Sequence, residues 1–238
     1  MNLLLLEPQD LINEHEAVID DDRAVHIKKV LKLKTSDCLK VGLLNGFCGS
    51  ATILTLSDTQ IHLQLDCQNP PPAPLPLTVV MALPRPKMLR RILKNLAEFG
   101  IKECHFINSY KVEKSFWQTP ALSQHTIHKY LCEGLMQSKD TILPNIHLHK
   151  YFKPFVEDIL PDLCHDKEAF IAHPYQSLPM PEVSREPRLI IIGPEGGFTE
   201  YEVNLIGRQG VHAINMGQRI YKVENALTRL AAQLSSSD

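Results

Sequence analysis

The sequence lacks the features that mark several large classes of protein. No run of about eighteen apolar residues occurs, so we expect no membrane-spanning helix and no membrane partner. The apolar start, residues 1–6, is too short for a signal peptide and lacks its basic residues, so we expect an edge strand there. The net charge is only −2 at pH 7, so the overall charge does not indicate a nucleic-acid partner.

Cysteine and histidine give no pattern typical of a metal centre. The six cysteines stand far apart and form no Cys-x-x-Cys pair, which favours reduced thiols in a cytoplasmic protein over disulfides or metal. His147 and His149 flank one residue of a predicted strand, but no third ligand is near them in the sequence. We therefore interpret them as surface histidines and expect no metal.

A proline-rich segment divides the chain. Five prolines fall within residues 69–76, which predicts a stiff linker over 70–76 between a domain at 1–69 and another at 77–238. Before the linker, short alternating runs separated by turn residues predict strands that close into a small β-barrel. After it, strands and helices alternate, which is typical of an α/β fold with a parallel sheet.

The most informative segment of the second domain is residues 189–202. Four aliphatic residues predict a buried strand, and Gly193–Gly197 predicts a tight turn without bulky side chains. Thr199 and Glu202 have the spacing of a capping box, which predicts the start of a helix. A small ligand could lie against this backbone, although neither the dinucleotide nor the P-loop pattern is present. A glycine-rich turn that binds nothing is the alternative from this loop alone.

A second segment repeats the same order of elements. Residues 211–217 alternate like a short strand and end in Met216-Gly217, and residues 226–234 have a helical pattern. Two such loops on successive parallel strands would lie at the same edge of the sheet, where open α/β sheets bind ligands.

Basic residues gather in two places. In the predicted helix 87–99, the leucine and isoleucine side chains fall on one face and the cations on the other. The second group lies in residues 28–34. A solvated charged face is the alternative to phosphate contacts. The candidate RNA-binding residues are Lys28, Lys29, Lys32, Lys34, Arg85, Lys87, Arg90, Arg91 and Lys94.

The two C-terminal loops carry a family resemblance. Ile-Gly-Pro-Glu-Gly-Gly-Phe-Thr-Glu-x-Glu and Met-Gly-x-Arg-Ile-x-Lys-x-Glu-Asn-Ala resemble segments of the small-subunit ribosomal RNA (uridine-N3) methyltransferase family, which belongs to the SPOUT class. Residues 26–37, 82–100 and 137–144 are similar to further segments of that family. The resemblance implies a C-terminal trefoil-knot domain with a parallel sheet, a preceding PUA-like β-barrel that binds RNA, and a homodimer. It also implies S-adenosyl-L-methionine as cofactor and ribosomal RNA or the small ribosomal subunit as partner.

The resemblance assigns expected roles to individual residues. Arg219 is expected to contact the target base. Glu224 is expected to orient Arg219, to take a proton through water, or to form a structural salt bridge. The cofactor would lie on the backbone of three loops, with its adenine in an apolar slot beside Ile220. The cofactor candidates are Ala172, His173, Gly193, Pro194, Glu195, Gly196, Gly197, Met216, Gly217, Ile220, Tyr221 and Asn225.

Five positions depart from the family pattern. They are Asn95, Lys111, Val112, Lys139 and Asp140, and the last replaces a cation by an anion at a position expected to face RNA. The departures leave open an RNA-binding or ribosome-assembly protein without catalysis, or an enzyme that methylates a different RNA.

Overall fold

The computed structural model describes residues 2–57, 59–174, 178–234 and 236, which form two compact units. The first unit comprises Met1–Pro72 and Cys132–Leu143, and the second comprises Ala73–Leu131 and Pro144–Asp238. The chain therefore enters the second unit, returns to the first and re-enters the second. The predicted division at residues 70–76 does not account for this return of residues 132–143 to the first unit. None of the helices described is both long and apolar enough to cross a membrane.

The first unit is built on six strands. They are β1 (Leu4–Leu6), β2 (Leu11–Asn13), β3 (Glu16–Ile19), β4 (Cys38–Leu43), β5 (Cys48–Leu56) and β6 (Ile61–Asn69). The strands form one curled sheet, a half-barrel, in the order β1-β4-β5-β6-β3-β2. β1 pairs in parallel with β4 and the other pairs are antiparallel. The start of the chain thus forms the edge strand that its apolar residues predict.

The second segment of the first unit, Cys132–Leu143, forms hydrogen bonds with the turn between β4 and β5. The backbone N–H of Asn45 donates to the carbonyl of Thr141 at 2.8 Å, and the Asn45 side-chain oxygen accepts from the N–H of Leu143 at 2.9 Å. At the other end of the segment, Leu3 N donates to Met136 O at 3.1 Å. These bonds satisfy backbone groups that would otherwise be exposed at the sheet edge, so residues 132–143 complete the unit.

The second unit is a parallel α/β sheet, as predicted. Its strands are β7 (Leu75–Ala82), β8 (Ile101–Ile107), β9 (Asn145–His149), β10 (Glu168–Ala172), β11 (Arg188–Ile192) and β12 (His212–Ile214), in the order β12-β10-β11-β7-β8-β9. All five pairs are parallel. The buried run Leu189–Ile192 lies on β11, in the middle of the sheet, with neighbours on both sides.

Seven α-helices complete the described chain. They are α1 (Asp22–His26), α2 (Pro86–Glu98), α3 (Gln124–Ser138), α4 (Phe152–Pro154), α5 (Leu160–Cys164), α6 (Glu200–Gly207) and α7 (Val223–Leu234). Wide turns extend α1 over Ile27–Leu31 and α4 over Phe155–Ile159, and short 3-10 turns cover Pro8–Asp10, Lys114–Gln118 and Pro120–Leu122. In α2 the predicted apolar face is buried: Leu89, Ile92, Leu93 and Leu96.

One predicted boundary was wrong. β7 begins at Leu75, so Leu75 and Pro76 belong to a strand although the linker was placed at 70–76. A shift in the register between Leu75 and Thr78 lets the ladder with β8 pass Pro76, which has no N–H to donate. α3 begins at Gln124, and the Ser123 side chain before it accepts a hydrogen bond from Thr126 N at 3.2 Å, as an N-terminal cap does.

Candidate active site at the carboxyl edge of the parallel sheet

Three neighbouring strands of the second unit end side by side. Ala172 on β10 is in register with Ile192 on β11 and with Ile214 on β12. Because parallel strands point the same way, the loops that follow them leave at one edge of the sheet. The N–H of His173 donates to the carbonyl of Ile214 at 2.9 Å, which ties the first loop to the third strand. The three loops predicted to hold a cofactor are therefore adjacent.

The loop after β11 depends on its glycines. The N–H of Gly197 donates to the carbonyl of Pro194 at 2.8 Å, and Gly197 has a φ of +69°, which strongly favours glycine. A Cβ on Gly193 would lie 3.0 Å from the ring of Phe198, which is buried. The loop is thus a closed turn that packs on its own phenylalanine.

The start of α6 is fixed by a buried carboxylate. The side chain of Glu202 accepts hydrogen bonds from Thr199 N at 2.8 Å and Thr199 Oγ1 at 2.9 Å, which confirms the predicted capping box. It also accepts from the backbone N–H of Tyr110 at 2.8 Å. Glu202 is only 3% exposed, so its charge is stabilised by these three donors. The bond to Tyr110 connects the loop after β8 to the loop after β11, a contact that no local sequence signal predicts.

Two cations hold the glycine loop from the side. Arg85 Nε lies 2.6 Å from Glu195 Oε2, and Lys111 Nζ donates to the carbonyl of Gly196 at 2.7 Å. Lys111 is one of the departures from the family pattern, and this bond gives it a structural partner. A pocket of about 130 Å³ opens between these groups, lined by Leu83, Pro84, Arg85, Lys111, Val112, Glu113, Phe116, Pro194, Glu195 and Gly196.

The loop after β12 is more open. Gly217 has a φ of +92°, and its N–H donates to the Asn215 side chain at 3.1 Å. Arg219 is exposed and has no hydrogen-bond or ion-pair partner, Glu224 included, within the described residues. Ile220 is 91% exposed, so the described residues of one copy form no apolar slot around it.

The residues around this loop are arranged by α7. Glu224 is half-buried in the first turn of the helix, where its negative charge is favourable. Asn225 is exposed beside it, and Met216 is half-buried. The hydroxyl of Tyr221 accepts a hydrogen bond from Arg229, whose guanidinium lies 5.0 Å from the centre of the tyrosine ring. Tyr221 is thus fixed against α7, whereas Arg219 and Ile220 project from the loop.

The basic residues of α2 are on the surface of the second unit. Lys87, Arg90 and Arg91 are exposed. Arg90 and Lys94 lie 5.8 and 5.3 Å from the ring centre of Tyr130, so they pack as cations on an aromatic face. The four cations therefore share a solvent-facing side of the helix, opposite its buried leucines and isoleucines.

The basic group of the first unit follows α1. Lys29, Lys32 and Lys34 are exposed, and Lys28 is half-buried with its Nζ donating to the carbonyl of Ser57. Lys32 has a φ of +55° and ends the helical turn. Three of the four cations thus face solvent beside one another in the chain.

The expectation for Asp140 was wrong. Its side chain is only 3% exposed, and it accepts a hydrogen bond from Ile142 N at 2.9 Å just after the end of α3. The adjacent Lys139 has a φ of +62°, so the carboxylate stabilises a tight exit from the helix. The buried carboxylate at this position therefore has a structural role at the exit from α3.

A parallel α/β sheet with glycine-rich loops gathered at its carboxyl edge is typical of a ligand-binding α/β domain. A model of the RNA methyltransferase domain matches residues 71–235, and the chain belongs to that family. The match includes all six parallel strands and α7.

Relatives and a solved structure extend the comparison over the whole chain. The chain is 31% identical to ribosomal RNA small subunit methyltransferase E of Treponema pallidum, with 95% of this chain and 87% of that protein covered. It is 30% identical to ribosomal RNA small subunit methyltransferase E 1 of Borreliella burgdorferi, with 95% and 94% covered. The fold is shared with the crystal structure of the Neisseria gonorrhoeae methyltransferase E bound to S-adenosyl methionine. That match has a TM-score of 0.75 at 14% identity and covers 97% and 96% of the two chains.

We predict that the buried carboxylate of Glu202 contributes to the free energy of unfolding through its three hydrogen bonds. Glu202→Ala removes the acceptor of three donors in a buried place and should lower the free energy of unfolding by about 2 kcal/mol. Glu200→Ala, at an exposed position of the same helix turn, is the control and should change it by less than about 0.5 kcal/mol. Urea unfolding of both variants measures this, and equal midpoints would contradict the assignment.

Proposed function

We propose that this protein transfers a methyl group from S-adenosyl-L-methionine to N3 of a uridine in small-subunit ribosomal RNA, in the cytoplasm. The observation that carries the proposal is the meeting of three side-chain-poor loops at the ends of β10, β11 and β12. The Treponema and Borreliella relatives are both named as ribosomal RNA methyltransferases, which supports ribosomal RNA as the substrate. The cofactor in the Neisseria structure supports S-adenosylmethionine.

The residues of the three loops fit a cofactor that binds to backbone. Gly197 and Gly217 have no atom within 4 Å of the place where a Cβ would stand, so space is open over both. We assign Ala172, His173, Gly193–Gly197, Met216–Gly217, Ile220–Tyr221 and Asn225 to the cofactor site. When bound, S-adenosylmethionine supplies an electrophilic methyl group on a sulfonium. The fixed turn of residues 193–197 then has the task of orientation, because methyl transfer depends mainly on alignment.

Arg219 is the residue that we assign to the target base. Uracil N3 carries a proton, and negative charge develops on the ring as that proton leaves and the new bond forms. An unpaired guanidinium can donate to a carbonyl oxygen of the base and stabilise this charge. Arg219 is free for this task because no described residue pairs with it. Glu224, at the start of α7, is assigned to accept the N3 proton through a water molecule or to orient Arg219 when RNA is bound.

The basic groups provide the contacts to RNA in this proposal. Lys29, Lys32 and Lys34 in the first unit and Lys87 and Arg91 on α2 are exposed cations suited to phosphate. The first unit, with the predicted domain at 1–69 as its main part, is assigned to RNA binding. Asp140, one of the five departures behind the non-catalytic alternative, is buried within the chain, which supports an active enzyme.

We also propose that the active form is a homodimer. The apolar residues of α7, among them Leu227 and Leu230, are buried within the chain itself and are not available for a subunit contact. Support comes instead from Ile220, which is 91% exposed, and from Leu178 and Val183, which are each 58% exposed. A second copy that covers Ile220 would supply the missing wall of the adenine slot.

The cofactor assignment predicts the effect of a side chain on Gly196. Its Cβ would lie 2.9 Å from Lys111 Cδ, so valine must displace that side chain and occupy the face of the loop. Gly196→Val should weaken S-adenosylmethionine binding by about 1–3 kcal/mol, as overpacking does. Gly207→Val is the matched control, because Gly207 is exposed at the end of α6 with open space around it. Unchanged affinity of Gly196→Val in calorimetry would rule out this loop.

The catalytic assignment predicts a rate effect at Arg219. Arg219→Ala should lower single-turnover methylation by about 10²–10³-fold with little change in cofactor affinity, and lysine should restore only part of the rate. The assay uses saturating small-subunit RNA and cofactor, with N3-methyluridine measured by mass spectrometry.

Lys32→Ala is the comparison for this assay, because it should weaken RNA binding in a salt-dependent way and leave the single-turnover rate unchanged. A wild-type rate in Arg219→Ala would refute the role of Arg219. A methyl group on another nucleotide or another atom would refute the proposed target.

The dimer proposal predicts the mass of the particle in solution and the effect of a substitution at Ile220 on that mass. Sedimentation of the 26.9 kDa chain at micromolar concentration should give two copies per particle. Ile220→Asp should shift the particle toward one copy, because it places a charge in the covered contact. Val25→Asp, at an exposed apolar residue of the first unit, is the control. A wild-type monomer at this concentration would contradict the proposal.

A further inference from the structure

Four polar side chains occupy one face of the two strands at the far side of the second sheet from β12. Glu103 and His105 alternate on β8, and Asn145 and His147 alternate on β9. Residues two apart on a strand point to the same face. The register places Glu103 beside Asn145 and His105 beside His147, so the four side chains are neighbours.

One carboxylate oxygen of this group lies between two imidazole nitrogens. Glu103 Oε1 is 3.2 Å from His105 Nε2 and 2.5 Å from His147 Nε2. The two histidine rings are stacked, with centres 4.5 Å apart and planes within 13°. The three ligand atoms all lie within 4.8 Å of one another, which is the spacing of a site that could hold one metal ion. The sequence near His147 contains no third ligand. The pairing of β9 with β8 brings Glu103 and His105 beside His147.

His105 carries an unsatisfied nitrogen in this place. The residue is 4% exposed, and among the described residues its Nε2 forms no hydrogen bond, since its 3.2 Å contact with Glu103 lacks hydrogen-bond geometry. Its other nitrogen, Nδ1, lies 3.0 Å from His149 Nε2. If Nδ1 donates to His149, Nε2 presents a lone pair to a carboxylate oxygen with no proton between them. A cation between the two atoms would satisfy both, and the cost of the buried unpaired nitrogen would be removed.

The neighbouring side chains hold the proposed ligands in place. Asn145 Nδ2 donates to the other oxygen of Glu103 at 3.3 Å, and His149 fixes the ring of His105. Groups of this kind orient the ligands in metal sites.

We propose that Glu103, His105 and His147 bind one divalent transition-metal ion, Zn²⁺ foremost. Two imidazoles and one carboxylate are a ligand set that zinc accepts, and the partly exposed His147 leaves a fourth position open to water. Asn145 and His149 are positioning residues. The ion joins β8 to the edge strand β9, so its binding stabilises the pairing of that strand in the folded protein.

The test uses the full chain, stripped with a chelator and then titrated with ZnCl₂ in a calorimeter. The wild type should bind one more equivalent of Zn²⁺ than His147→Gln and Glu103→Gln, and each of these variants should lose more than about a hundredfold in affinity at this site. His147 has a side chain that is 44% exposed, so its replacement should leave the fold intact. His149→Gln should weaken the site by about ten- to a hundredfold.

The controls separate this site from other ligands of the chain. His212→Gln changes an exposed histidine on β12 and should bind Zn²⁺ as the wild type does. Substitution with Co²⁺ should give visible bands without a thiolate charge-transfer band, because no cysteine belongs to the proposed ligand set. The proposal is overturned if the wild type binds no Zn²⁺, or if His147→Gln and Glu103→Gln match it in stoichiometry and affinity. A thiolate band that persists in His147→Gln would place the metal on cysteines and also overturn it.

Discussion

The parallel pairing of β10 with β11 and β12 is the constraint on which the candidate site depends. One residue, Ala172, is in register with a neighbour on each side, and this alone decides that three loops distant in sequence start from adjacent points. Small side chains suffice in those loops, because the backbone itself forms the candidate ligand-binding surface. A shift of one residue in either pairing would reverse the faces of the strand and separate the loops.

The loops at this edge differ in how firmly they are held. The turn at 193–197 is fixed by its own hydrogen bond, by the Phe198 ring and by the side chains of Arg85 and Lys111. The loop that carries Arg219 has an exposed arginine and an exposed isoleucine at its tip. In the proposed enzyme, the fixed loop holds the small cofactor, and the open loop gains its final contacts from large partners, RNA and a second copy of the chain.

The sequence predicted the structural features that depend on residues close to one another along the chain. The aliphatic run of β11, the capping box of Thr199 and Glu202, and the two faces of α2 all follow from spacing along the chain. It did not predict contacts made between strands or loops, such as Tyr110 with Glu202 or Glu103 with His147, because these depend on a register that no local pattern contains. Pro76 and Asp140 were misjudged for a related reason. Their residue types suggested a linker and an exposed charge, but a register shift and a helix exit accommodate them.

The return of residues 132–143 to the first unit has a consequence for the order of synthesis. A ribosome releases the chain from its amino end, and the six strands of the first unit are complete once β6 has emerged. The hydrogen bonds of Leu3 and Asn45 to that later segment must wait until residue 143 has followed. Until then Leu3 and the turn at Asn45 lack these partners. Completion of the amino-terminal unit therefore waits for synthesis of the first segment of the other unit, Ala73–Leu131, but not for its second segment.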